Sequence, residues 1–306
     1  PIFYIRRFPL PFAVGWGSLL IVAALLLPSV DPSSIILRSR NFFGVKAVED
    51  DATGIFRSFR HGSINHGCQL LDKAKSLQPA CYSHPKGPVG DIFREFHKTD
   101  SMISNRGPLQ VGVIGLGAGA MACYSREMDQ FTFYELDPAI LAIAQNTELF
   151  TFLRDCPGKR DYQVGDGRSL LQKETDRKFD ILFLDAFSSD AIPIHLLTRE
   201  AFDLYLQRIS TNGVIVLQIS NLFLDLEPAI ASLIETLGLS AAIRNDTLLG
   251  PEAAGEAHFP SRYVAISKEE RPIRGLIDNF GWQSPTTRRI PVWTDNYSAL
   301  LPSFIW

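Results

Sequence analysis

Residues 109–120 read LQVGVIGLGAGA. An apolar run ends in three alternating glycines, Gly115, Gly117 and Gly119. Such a run predicts a buried strand, and the glycines let the chain turn tightly and bring its backbone close to a ligand. With Ala120 the stretch also satisfies G-x-G-x-x-G/A, so alone it does not separate dinucleotides from other nucleosides. A close-packed strand-to-helix turn would show the same glycines.

Working outward, strand-like and helix-like segments alternate. FTFYELD (131–137) reads as a strand, and PAILAIAQNTELF (138–150) as a helix with Pro138 in its first turn. YQVGD (162–166) is a short strand, RSLLQKE (168–174) a helical piece and FDILFLD (179–185) a buried strand. HLLTREAFDLYLQRI (195–209) is a helix, GVIVLQIS (213–220) a strand, and LEPAIASLIETLG (226–238) a further helix. This alternation predicts an α/β fold with a doubly wound, mainly parallel sheet over residues 107–306. Ligands in such sheets sit at the carboxyl ends of the strands.

Acids stand at those ends. Glu135 ends the second strand, twenty residues after Gly115, where a carboxylate can accept hydrogen bonds from ribose hydroxyls. Asp137, just before Pro138, fits a helix-start acid. Asp166, between Gly165 and Gly167, can accept from an adenine amino group or cap a helix. Asp185 ends the most apolar strand, and the loop after it brings Asp190 and His195 to the same rim. His61 and His66 fall in a strand-rich region and read as surface residues of a small domain. No metal site is assigned.

Composition narrows the function. Lys+Arg is 30 and Asp+Glu 33, a net charge of −3, so no basic surplus exists to bind nucleic acid. Four cysteines (Cys68, Cys81, Cys123, Cys156) without a C-x-x-C argue against a disulfide framework or zinc site and for a reducing compartment. Residues 12–27, FAVGWGSLLIVAALLL, carry no charge. They predict a membrane segment within 1–30, although flanking arginines leave its orientation open. Residues 31–40 read as a linker, and 41–106, with short apolar runs between turn residues, as a small N-terminal β-domain.

The set VIGLGAG (113–119), YELD (134–137), VGDGR (164–168) and FLDAFSSDAIP (183–193) resembles the spermidine synthase family, the aminopropyltransferases, with a class I S-adenosylmethionine (AdoMet) methyltransferase-like fold. HGSINHGCQ (61–69), DAIPIHLLTREAF (190–202) and WTDNYSALL (293–301) look like its membrane-attached subgroup. The resemblance implies AdoMet or decarboxylated AdoMet as co-substrate. It implies Gln69, the glycine loop, Glu135, Asp166 and Gly167 around the nucleoside, and Asp185 as the group that deprotonates an attacking amine, with His195 as helper. Tyr82 and Asp190 would face the acceptor.

Two departures weaken the polyamine part. Ala118 stands where the family has an aspartate facing the ammonium of decarboxylated AdoMet, and Asp190 is displaced by two residues from the family's second loop acid. An amine site lacking such carboxylates is costly to fill with an ammonium. The expected product is methylthioadenosine, released by aminoalkyl transfer or by cyclisation of AdoMet itself. The alternatives are a methyltransferase and a non-catalytic subunit of a membrane complex or homo-oligomer; an NAD(P) enzyme would not call for Asp166 and Asp185. Because the cytosol holds the AdoMet pool, the large domain is expected on the cytoplasmic side of a single-pass protein of the cytoplasmic (inner) membrane.

Overall fold

The computed structural model describes residues 9–26, 34–62, 64–102, 107–186, 193–221, 223–286, 290–300 and 303. The chain divides into two compact units, residues 1–35 and 36–306. In the first, α1 (Pro9–Leu26) is an 18-residue apolar helix without a charged residue. At about 1.5 Å per residue it rises about 27 Å, short of a ~30 Å hydrocarbon core. Among the described residues no helix is long and apolar enough to cross a membrane, so the expected span at 12–27 is not upheld.

The second unit opens with a four-stranded sheet ordered β1 (Ile35–Asn41), β2 (Gly44–Asp50), β3 (Phe56–His61) and β4 (Ile64–Leu70). β2, β3 and β4 pair antiparallel. β1 thus occupies most of the stretch expected to be a linker. Its side chains alternate between half-buried and exposed, the pattern of a strand with one covered face.

Next comes α2 (Pro88–Met102), a helix where only strands were expected. Its Val89, Ile92 and Phe93 share one core with Val48 and Phe59 of the small sheet and with the large sheet. The two sheets therefore share their hydrophobic interior.

The large sheet has seven strands: β5 (Gln110–Ile114), β6 (Gln130–Glu135), β7 (Lys159–Val164), β8 (Phe179–Leu184), β9 (Ile209–Gln218), β10 (Ser240–Asp246) and β11 (Ser261–Ser267). They are ordered β10-β11-β9-β8-β5-β6-β7, parallel from β9 to β7, with β11 antiparallel to both its neighbours. Strand pleating sends successive side chains to opposite faces. Ile181 and Phe183 accordingly join the core with α2, whereas Leu182 and Leu184 pack with Phe202 and Tyr205 of α6 (Arg199–Arg208). Each such side chain, once fully buried, contributes roughly 1.5–3 kcal/mol.

Between the strands run α3 (Pro138–Gln145), α4 (Phe152–Asp155), α5 (Gly167–Lys173), α7 (Glu227–Leu237) and α8 (Glu270–Phe280). Asp137 caps α3 by accepting from the Ala139 N–H at 2.9 Å, with Pro138 at the first helical position. The segment after the glycine loop makes only a 3₁₀ turn at Ala120–Tyr124. The helix expected from 195 begins at Arg199, because Thr198 caps it.

The cysteine expectation is reversed. Cys68 pairs with Cys81 and Cys123 with Cys156, with Cα atoms 5.9 and 4.9 Å apart. The partners lie 13 and 33 residues apart, a spacing with no local signal, and tertiary folding brings them together. Disulfides persist in oxidising surroundings, the opposite of the reducing compartment inferred from their spacing.

Candidate active site

At the carboxyl edge of the large sheet, residues from consecutive strand ends line one cleft. Gly115 and Gly117 after β5, Glu135 ending β6, Asp166 and Gly167 opening α5, Asp185 past β8, and His195 all face it. A Cβ at Gly115 (φ +100°) would stand 2.4 Å from the carbonyl oxygen of Asp185, and one at Gly117 (φ +55°) 2.2 Å from that of His66. Backbone, which cannot swing away, blocks both positions, so only glycine fits. The His66 carbonyl also accepts from the Ala118 N–H at 3.0 Å, which fastens β4 to the glycine loop. Gly119 does not line the cleft; a Cβ there would meet the Leu153 side chain at 2.8 Å.

Glu135 is buried, its Oε2 accepting from the Leu116 N–H at 3.0 Å and its Oε1 from the Asp137 N–H at 2.9 Å. Burial pushes its carboxyl up more than those two N–H groups pull it down. The pair fixes its direction while leaving lone pairs for a ligand.

Asp166 takes the helix-capping role, one of the two foreseen for it. Its Oδ1 caps α5 by accepting from the Ser169 N–H (2.9 Å) and hydroxyl (2.6 Å). Its Oδ2 lies 2.9 Å from His195 Nε2. Burial alone would raise this carboxyl, but the bonds from Ser169 and His195 outweigh it and hold it below the usual range. With His195 in place the cleft encloses about 100 Å³, well under the ~300–1,000 Å³ of typical ligand pockets. His195 thus takes up Asp166 Oδ2, the carboxyl oxygen that does not cap α5.

Asp185 sits at the mouth of the most apolar strand. Burial pushes its carboxyl up to about 8, near the operating range of a general base. Tyr82 approaches from the other side; burial, then the nearby Asp185 charge, keep its hydroxyl protonated.

Other expectations fall away. Gln69 does not line the cleft. Its amide donates to the Ser76 carbonyl (2.9 Å) and the Thr151 hydroxyl (2.8 Å), and its Oε1 accepts from the Thr151 N–H (3.0 Å), so it ties β4 to the start of α4. His61 and His66, expected on the surface, are buried in the cleft wall with rings 5.5 Å apart. Burial and the neighbouring His61 pull His66 down to about 4, leaving it neutral. Asp190 lies outside the described residues.

The 293–301 motif acquires a role that the sequence does not disclose. Asp295 grips Arg168 through two 2.7 Å bonds and accepts from the Thr198 hydroxyl at 2.7 Å. Arg168 in turn donates to the His195 carbonyl at 2.8 Å. These bonds fix the rim segment that presents His195. Asp137, already a helix cap, also pairs with the fully buried Lys46 of β2. Lys46 aside, the sequence cue to these partners was their presence in the quoted motifs.

A mainly parallel sheet with acids at its strand ends, preceded by a small antiparallel sheet, is the class I methyltransferase-like arrangement of the spermidine synthases. This chain is spermidine synthase-like in fold, and comparison with known proteins agrees. It is similar to a probable spermidine synthase from Corynebacterium glutamicum (TM-score 0.59, 15% identity, 84% of this chain and 97% of that one). It is also similar to the spermidine synthase of Thermotoga maritima (TM-score 0.51, 13% identity, 89% and 84%). A third likeness, with the same TM-score of 0.51, is to a spermidine synthase in complex with the transition-state analogue AdoDATO. In sequence, 120 residues are 30% identical to a polyamine aminopropyltransferase of Vibrio vulnificus, spanning 38% of this chain and 39% of that protein. No family model matches.

Proposed function

We propose that this chain binds AdoMet or decarboxylated AdoMet and transfers its aminoalkyl group with release of methylthioadenosine. The observation that carries this reading is the convergence of Glu135, Asp166 and Asp185 on one cleft behind the glycine loop. A spermidine synthase of the same fold that holds a transition-state analogue, and a relative that is a polyamine aminopropyltransferase, support it.

In this reading Glu135 receives the ribose hydroxyls, and Asp166 receives the adenine amino group once His195 yields. The lone pair of an attacking nitrogen forms a bond to the carbon on sulfur. The C–S bond breaks, its electrons remain on sulfur, and the sulfonium leaves as a neutral thioether. Asp185 takes the nitrogen's proton. The leaving group needs no acid, so the protein's work is alignment and exclusion of water. Ala118 brings no negative charge, so it does not repel the carboxylate of full AdoMet.

Incubation with each sulfonium and an amine, followed by chromatography of the nucleoside product, tests this. Methylthioadenosine is expected; S-adenosylhomocysteine would mean methyl transfer instead. Calorimetric silence toward both sulfoniums, without product, would sink the reading. One observation favours a binding-incompetent subunit: the His195–Asp166 bond, which occupies a carboxyl oxygen at the cleft. The same calorimetry decides between them.

A further inference from the structure

At the Glu135 end of the cleft a lysine lies behind the acids. Lys46 of β2 is fully buried, and its ammonium pairs with Asp137 Oδ2 at 2.5 Å. Asn41, the last residue of β1, joins both partners. Its side-chain oxygen accepts from Lys46, and its amide donates to Asp137 Oδ1 at 2.8 Å. Asp137 Oδ1 also accepts from the Ala139 N–H, and the Asp137 N–H donates to Glu135 Oε1 at 2.9 Å. Two strands of the small sheet thus grip the residue that orients Glu135.

The arrangement sets two buried carboxylates two residues apart. Both line the cleft, and among the described residues no lysine or arginine does. Lys46 supplies that charge from behind. Burial would raise the Asp137 carboxyl, but the bonds from Lys46, the Ala139 N–H and Asn41 outweigh it and hold it below the usual range. Glu135 is pushed up by burial foremost, and the Asp137 charge adds to that push. A buried ion pair gives little stability beyond what packed apolar side chains would give. What this pair sets is the direction and charge of the group beside Glu135. The charge matters because an ionised carboxylate accepts from two hydroxyls, whereas a protonated one turns an oxygen into a donor.

We propose that Lys46, with Asn41, is a positioning residue for ribose recognition. By holding Asp137 in place and cancelling its charge, it keeps Glu135 aimed into the cleft as an acceptor for the two neighbouring hydroxyls of a ribose. The small sheet thereby takes part in binding without touching the ligand at this point. The proposal rests on the nucleoside reading above. Without Lys46, Asp137 would be a buried carboxylate with no counter-charge, and such a group takes up a proton or turns toward water. Either change disturbs the N–H that directs Glu135.

The test is calorimetric titration of the full chain with methylthioadenosine and with its dideoxy counterpart, which lacks both ribose hydroxyls. The unaltered chain should prefer the hydroxylated ligand by about tenfold or more, because the lost bonds run to a charged acceptor. In Lys46→Met that preference should fall below about threefold, through weaker binding of methylthioadenosine while the dideoxy ligand binds as before. Asn41→Ala alters an exposed residue, should reduce the preference by about threefold, and decides the matter if Lys46→Met does not fold. A preference that survives in the variants, whether both ligands weaken together or neither does, makes the lysine a structural tie only and overturns the proposal. Failure of methylthioadenosine to bind the unaltered chain, or equal binding of the two ligands by it, overturns instead the nucleoside reading beneath.

Discussion

Replacing Asp185 by Asn should make the protein more stable while ending transfer. Burial raises this carboxyl from its ordinary 3.8 to about 8. Between those values the folded chain keeps a proton that the unfolded chain has released, so stability falls as pH rises through that window. The contribution is fully present below about 3.8 and is lost by the time pH has passed about 8. At about 1.4 kcal/mol per pH unit the whole loss is bounded at roughly 6 kcal/mol. Asp185 keeps partial exposure, and relaxation by water brings the expected figure to about 2–4 kcal/mol. Asparagine has no such ionisation, so its advantage should grow with pH and level off above about 8. Urea unfolding of both proteins near pH 5, 7 and 9 measures this directly. A stability difference that stays constant across those pH values would refute the assignment of Asp185 as a desolvated base.

Removing the imidazole with His195→Ala frees Asp166 Oδ2 and should raise methylthioadenosine affinity about three- to tenfold by calorimetry; weaker binding would make His195 a ligand contact. Gly117→Ala forces a Cβ to within 2.2 Å of the His66 carbonyl, and should cost roughly 1–3 kcal/mol in thermal or urea unfolding, together with nucleoside binding. Asp295→Asn weakens the grip on Arg168. It should lower nucleoside affinity several-fold while changing stability by less than about 1 kcal/mol, because the pair is partly exposed. A thiol probe on the unfolded, unreduced protein should label none of the 4 cysteines and all of them after reduction; labelling before reduction contradicts the pairing.

The sheet and its acids were legible because their signals are local. FDILFLD could only be a buried strand, and an acid directly after such a strand has one place to go. Glu135, Asp166 and Asp185 follow from that rule, and so does the capping of α3 and α5 by Asp137 and Asp166. What stayed hidden depends on contacts between distant segments. Arg168 and Asp295 are 127 residues apart, and nothing near either predicts the other. Gln69 carries the right residue type for a ligand contact, yet Thr151, 82 residues away, satisfies it. His61 and His66 looked exposed because strand alternation does not say which face meets a second sheet. The apolar run at 12–27 was legible as a helix, and Pro9–Leu26 is one, but among the described residues no helix is long and apolar enough to cross a membrane.

The cystines bear on how this chain can be made at all. Each closes only by surrendering two electrons, so a newly synthesised chain needs an oxidant or an exchange partner before it is finished. Cys68 adjoins Gln69 on β4, and Cys81 adjoins Tyr82, which approaches Asp185. A host that keeps thiols reduced would yield protein lacking that staple, and secretion is the sounder route for preparing it.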